Sequence, residues 1–73
     1  MKFTYTRHAL EKMDALGIMR REVENVIKKC MKWRETDKKT GKSQWHARMG
    51  GIEVVFVEIE GLIVVKVITV HYA

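Results

Sequence analysis

Near Met31 the spacing of the apolar residues changes, and that change confines the chain to a mixture of helix and sheet. Before Met31 apolar side chains recur every three or four positions; after it they alternate. Ala9, Met13 and Leu16 follow i, i+4, i+7 with Leu10 beside them, the stripe of an amphipathic helix. Thr6 suits the N-cap, Gly17 the left-handed C′ position, and Ile18 the hydrophobic contact that follows it. A first helix is therefore expected from about Thr6 to Leu16. Val23, Val26, Ile27 and Cys30 mark a second, from about Arg20 to Met31. Glu22 and Glu24 sit near its start and Lys28 and Lys29 near its end, as the helix dipole favours. The short connection makes the pair an αα-hairpin.

The alternating half reads as strands. Lys32 to Thr36, Ser43 to Met49, Ile52 to Ile59 and Leu62 to Tyr72 are separated by the charged loop Asp37–Lys42, by Gly50-Gly51 and by Glu60-Gly61. Gly50-Gly51 is a strong hairpin signal, and Lys2 to Tyr5 suits an added edge strand. The expected fold is α+β: one domain over residues 1–73, with an N-terminal αα-hairpin on one face of a three- to four-stranded antiparallel sheet. Two-residue turns set Met49 opposite Ile52, Ala47 opposite Val54 and Trp45 opposite Phe56, then Phe56 opposite Val65 and Val54 opposite Val67. That face is apolar and should carry the helices, including Met13, Leu16, Val23 and Ile27. The other face takes Gln44, His46, Arg48, Glu53, Lys66 and Tyr72, and His71 points to the helix side. His46, Val55 and Lys66 form one row, with His46 and Lys66 about 10 Å apart. Val57, Ile59, Leu62, Val64, Ile68 and Val70 share that face with no third layer to cover them, which suits a partner or a homodimer through the sheet face. A one-residue slip would exchange the faces.

A domain of 73 residues buries only about 60% of its unfolded surface. Cys30 is the only cysteine, so no disulfide assists, and on an apolar helix stripe it reads as a buried, inert thiol. With no signal-like segment and no apolar run of about 18 residues, a cytoplasmic chain with no membrane partner is expected. Absent proline, two amides (Asn25 and Gln44) and 32% charged residues point toward a thermophilic source. The net charge is +5, concentrated between Arg20 and Arg48, where ten Lys/Arg face four acids. Such a surface suits a polyanion; its bland reading is a solvated lysine-rich face.

The stretch "YTRHALEKMDALGI" followed by "REVENVI" resembles the opening of a widespread family of small prokaryotic proteins, catalogued as a domain of unknown function. The matching pieces are His8-Ala9, Met13, Gly17-Ile18, Glu22-Val23, Gly50-Gly51 and Val67-Ile68-Thr69-Val70-His71-Tyr72. Met19 stands where the family often has Ser or Thr. The family is similar in fold to the RelE/ParE toxins, which are ribosome-dependent or free ribonucleases or gyrase poisons, neutralised by an antitoxin. The resemblance implies a single RelE-like domain, an antitoxin partner and an RNA target. The alternatives are a non-catalytic nucleic-acid-binding module and a homodimerising protein.

Metal-independent RNA cleavage needs a base for the 2′-OH, a cation for the developing phosphorane charge and an acid for the leaving oxygen. His46 and Arg48, two apart on one strand face, suit these roles, with Lys66 and Tyr72 in support and no cofactor or metal. The bland readings are a surface histidine and an Arg48–Glu53 ion pair. A second set is His8, Lys12 and His71, although a hydrogen bond tying the first turn to the C-terminal strand is the simpler role for His8. Arg34, Lys38, Lys39, Lys42 and Arg48 are the expected phosphate contacts. Trp45 should be core. Trp33 could stack an exposed base, but helix–sheet packing is its simpler role.

Overall fold

The computed structural model describes residues 2–29, 32–59 and 64–72. Its elements are β1 (Lys2–Tyr5), α1 (Arg7–Leu16), α2 (Arg20–Lys29), β2 (Lys32–Thr36), β3 (Ser43–Met49), β4 (Ile52–Ile59) and β5 (Val64–Tyr72). Cys30, the Glu60-Gly61 turn and Leu62 lie outside the described residues. The fold is α+β, with two helices packed on one face of a sheet ordered β1-β5-β4-β3-β2. The sheet has five strands and is mixed, where three or four antiparallel strands were expected: β1 joins the edge and runs parallel to β5. No helix among the described residues is long and apolar enough to cross a membrane.

The helix boundaries follow local chemistry. Thr6 caps α1, its hydroxyl accepting from the Ala9 N–H at 3.0 Å. Gly17 closes the helix at φ 70°, where a side chain would be strained. At α2 the Met19 N–H donates to Glu22 Oε1 at 3.1 Å, so Glu22 supplies half of a capping box without a capping hydroxyl at residue 19.

Helix α1 lies on β5, and α2 lies on β4 and β3. Between the layers Ala9, Met13, Ile18, Val23 and Val26 meet Ala47, Ile52, Val54, Phe56, Val65, Val67 and Val70. Leu16, Ile27 and Trp45 pack at the margin of this core. Beyond the helices, Lys32 and Arg34 cover Trp45, each cation 4.5 Å from its ring centroid. Tyr5 donates its hydroxyl to Glu24 at 2.8 Å. Burial, then the hydrogen bond and charge of Glu24, raise the Tyr5 pKa, against an opposing effect of Arg20.

The β3–β4 hairpin has the expected register, with Trp45 opposite Phe56, Ala47 opposite Val54 and Met49 opposite Ile52. Gly50 and Gly51 carry φ of +59° and +80°, the paired positive angles of a type I′ turn. The β4–β5 pairing departs from expectation twice. Phe56 lies opposite Val67 rather than Val65, an offset of two that preserves the faces. Then Val55 pairs with Thr69, leaving Ile68 unopposed as a bulge. That one extra residue exchanges the faces for the rest of β5. Val70 therefore enters the core, Tyr72 pairs with Ile52 and donates to the Leu16 carbonyl at 2.7 Å, and His71 turns to the open face opposite Glu53. The bulge is tied to α1 through Thr6, whose hydroxyl donates to the Ile68 carbonyl at 2.9 Å.

Candidate functional site

The open face carries a polar cluster centred on Glu53. Among the described residues Glu53 is the one charged residue in the buried set, 7% exposed. Three side chains converge on its carboxylate. Arg48, opposite it on β3, donates from Nε at 3.1 Å and Nη2 at 2.6 Å to Oε1. His46 Nδ1 lies 3.1 Å and His71 Nε2 3.2 Å from Oε2. Burial pushes the Glu53 pKa up. The hydrogen bonds of Arg48 and His46, with the charges of His71 and Arg48, outweigh burial and hold it below its ordinary value of 4.5. An anionic Glu53 is the acceptor for all three, so His46 is oriented with Nδ1 toward the carboxylate and Nε2 away from it.

His46 is fixed on a further side. Trp33, its cross-strand partner on β2, stacks on the imidazole with ring centroids 5.5 Å apart and planes 23° apart. The Trp33 indole N–H donates to Glu35 Oε2 at 2.6 Å.

Beside this cluster lies a groove of about 560 Å³. Val55 lines it between His46 and Thr69, its cross-strand neighbours in one row. His46 and Gln44 border it on the β3 side, and Lys38 and Lys39 of the β2–β3 loop add cations. Glu35 and Asp37 also line it. His8 enters from the β5 side. Strand β1 ends at Tyr5 opposite Val67, so α1 starts at the edge of β5 beyond that point. From there His8 Nε2 reaches Thr69 Oγ1 at 3.1 Å. The tie to the C-terminal strand thus also places His8 on the groove. His46 and Thr69 lie two strands apart, about 10 Å between backbones, so the histidines flank a space of nucleotide size.

The chain matches no family model, no curated protein and no solved structure. The assignment of a function therefore rests on this geometry.

The residues singled out in the sequence are redistributed. His46 and His8, assigned to separate sets, share one groove, and His71 joins His46 through Glu53. The expectation that His71 faces the helices fails because of the Ile68 bulge. Arg48 makes the ion pair with Glu53 at the margin of the cluster. Lys66 is on the open face but opposite Val57 rather than in the His46 row, which Thr69 completes. Tyr72 is on the helix side, away from His46. Lys12 does not line the groove. Of the expected phosphate contacts, Lys38 and Lys39 line it, Lys42 is exposed at the end of the same loop, and Arg34 faces Trp45 on the opposite side of the sheet from Arg48. Trp33 is on the open face rather than under the helices. The sequence suggests Glu53 only as a partner for Arg48; the β3–β4 register adds His46, and the bulge adds His71. Among the described residues no group of three or more His, Cys, Asp or Glu is placed to hold a metal ion.

Proposed function

We propose that the chain is an RNA-binding protein of RelE/ParE-like toxin type that cleaves RNA by metal-independent transesterification in the His8–His46 groove. The observation that carries this reading is the His46 Nδ1–Glu53 Oε2 contact at 3.1 Å, beside a groove that receives His8 from its far side. A histidine whose Nδ1–H is held by a buried carboxylate is oriented to accept a proton at Nε2. His46 takes the 2′-hydroxyl proton, and O2′ attacks the adjacent phosphorus. The bond from phosphorus to the 5′ oxygen breaks, and His8, as the imidazolium, returns a proton to that oxygen. Its Nε2 faces Thr69, so Nδ1 is the nitrogen left to donate. The products are a 2′,3′-cyclic phosphate and a 5′-hydroxyl. Lys38 and Lys39 supply positive charge for the phosphorane oxygens. An antitoxin that covers this groove would serve as the partner.

The test is cleavage of a fluorescent RNA by wild type and by His46→Ala and His8→Ala variants. Each substitution should slow cleavage about a hundredfold or more, the usual contribution of a general acid or base. Binding without cleavage by wild type would support the non-catalytic module instead.

A further inference from the structure

We infer that Trp33 is a stacking platform for one unpaired nucleobase, so that the groove takes single-stranded RNA rather than a duplex; this rests on the RNA-binding reading above. Trp33 is 37% exposed although its ring is held on several sides. His46 stacks on it at 5.5 Å, Glu35 accepts its indole N–H, and the Arg48 guanidinium carbon lies 5.7 Å from its centroid. Strand β2 is the outermost strand of the sheet, so among the described residues no further strand covers Trp33 on that side. A ring immobilised before a ligand arrives gives up little additional freedom when a base stacks on it. The surroundings suit a polyanion: between Lys32 and Arg48 six Lys/Arg outnumber the two acids Glu35 and Asp37.

The placement links the platform to the chemistry. His46 both touches Trp33 and lines the groove. A base lying against Trp33 therefore belongs to a nucleotide next to the phosphate at His46. Bases inside an A-form duplex are stacked on one another and cannot reach such a ring, whereas unpaired bases can. Because every base presents a π-face, the platform selects for single strands more than for sequence.

The experiment uses short 2′-O-methyl RNA, which binds without being cut. Binding is read by fluorescence anisotropy of a label on the RNA and, separately, by tryptophan emission. Single-stranded RNA should quench the emission of wild type, and Trp33→Phe should abolish most of that quenching, which separates Trp33 from Trp45. Trp33→Leu, which keeps an apolar side chain without a π-face, should weaken binding about five- to a hundredfold, with Trp33→Phe in between. Duplex RNA of the same sequence should bind more weakly and leave the emission unchanged. Tight single-strand binding with unaltered emission and an unimpaired Trp33→Leu variant would overturn the platform and leave the RNA-binding reading standing. An anisotropy that never rises would overturn both.

Discussion

Replacing Glu53 by Gln removes the charge at the centre of the cluster while keeping the side-chain shape. The amide can present its oxygen to Arg48 or to the two imidazoles, but not to both sets. The set that loses its acceptor faces an NH₂ group instead. Arg48 and His71 have side chains 56% and 42% exposed, so water replaces much of what they lose. His46 is 14% exposed and has no such recourse. One charge-assisted hydrogen bond is therefore lost in effect, about 2 kcal/mol. In a domain of this size that is about 8–16 °C in Tm. The effect also has a pH signature. The Glu53 pKa lies below 4.5 in the folded chain, so its contribution is fully present above about pH 4.5 and is lost as pH falls through the folded value. Thermal melts of wild type and Glu53→Gln should therefore differ above about pH 4.5 and converge in acid. An unchanged Tm at pH 7, or a gap that persists undiminished at about pH 2, would refute the role given to the Glu53 charge.

Thr6→Ala removes both the cap on Ala9 and the bond to the Ile68 carbonyl, and should cost about 1–2 kcal/mol in chemical denaturation. An unaltered midpoint would show that the bulge does not depend on α1. RNA affinity should fall steeply with salt, and Lys38→Ala with Lys39→Ala should make the log–log slope shallower by about 1.4, from 0.7 per phosphate contact on single strands. A slope unaffected by that pair would place the phosphates elsewhere.

Much of the fold is written in local signals. Thr6 and Gly17 bracket α1, the period change separates helices from strands, and Gly50-Gly51 sets the β3–β4 register that puts Arg48 opposite Glu53. The bulge at Ile68 has no such signal. Val64-Val65-Lys66-Val67-Ile68-Thr69-Val70-His71-Tyr72 contains no glycine, and its β-branched residues fit either face. The bulge arises from tertiary pairing, with Thr6 binding the Ile68 carbonyl. Its consequence is large, because it alone brings His71 and Glu53 together and sends Tyr72 and Val70 to the helices. Trp33 was obscured for a different reason. In Lys32-Trp33-Arg34-Glu35-Thr36 it is the lone apolar residue, so alternation cannot say which side of the sheet it occupies. That His8 and His46 line one groove is not legible locally, because it depends on where the parallel strand β1 ends, a pairing across more than sixty positions of sequence.

The most direct test is to incubate single-stranded RNA with the chain in excess EDTA and identify the new ends. Cleavage that persists in chelator, yields 2′,3′-cyclic phosphate and 5′-hydroxyl ends, and drops about a hundredfold or more in His46→Ala is the predicted result. Cleavage that stops in EDTA, yields 5′-phosphate ends, or proceeds undiminished in the folded His46→Ala variant would contradict the proposed chemistry.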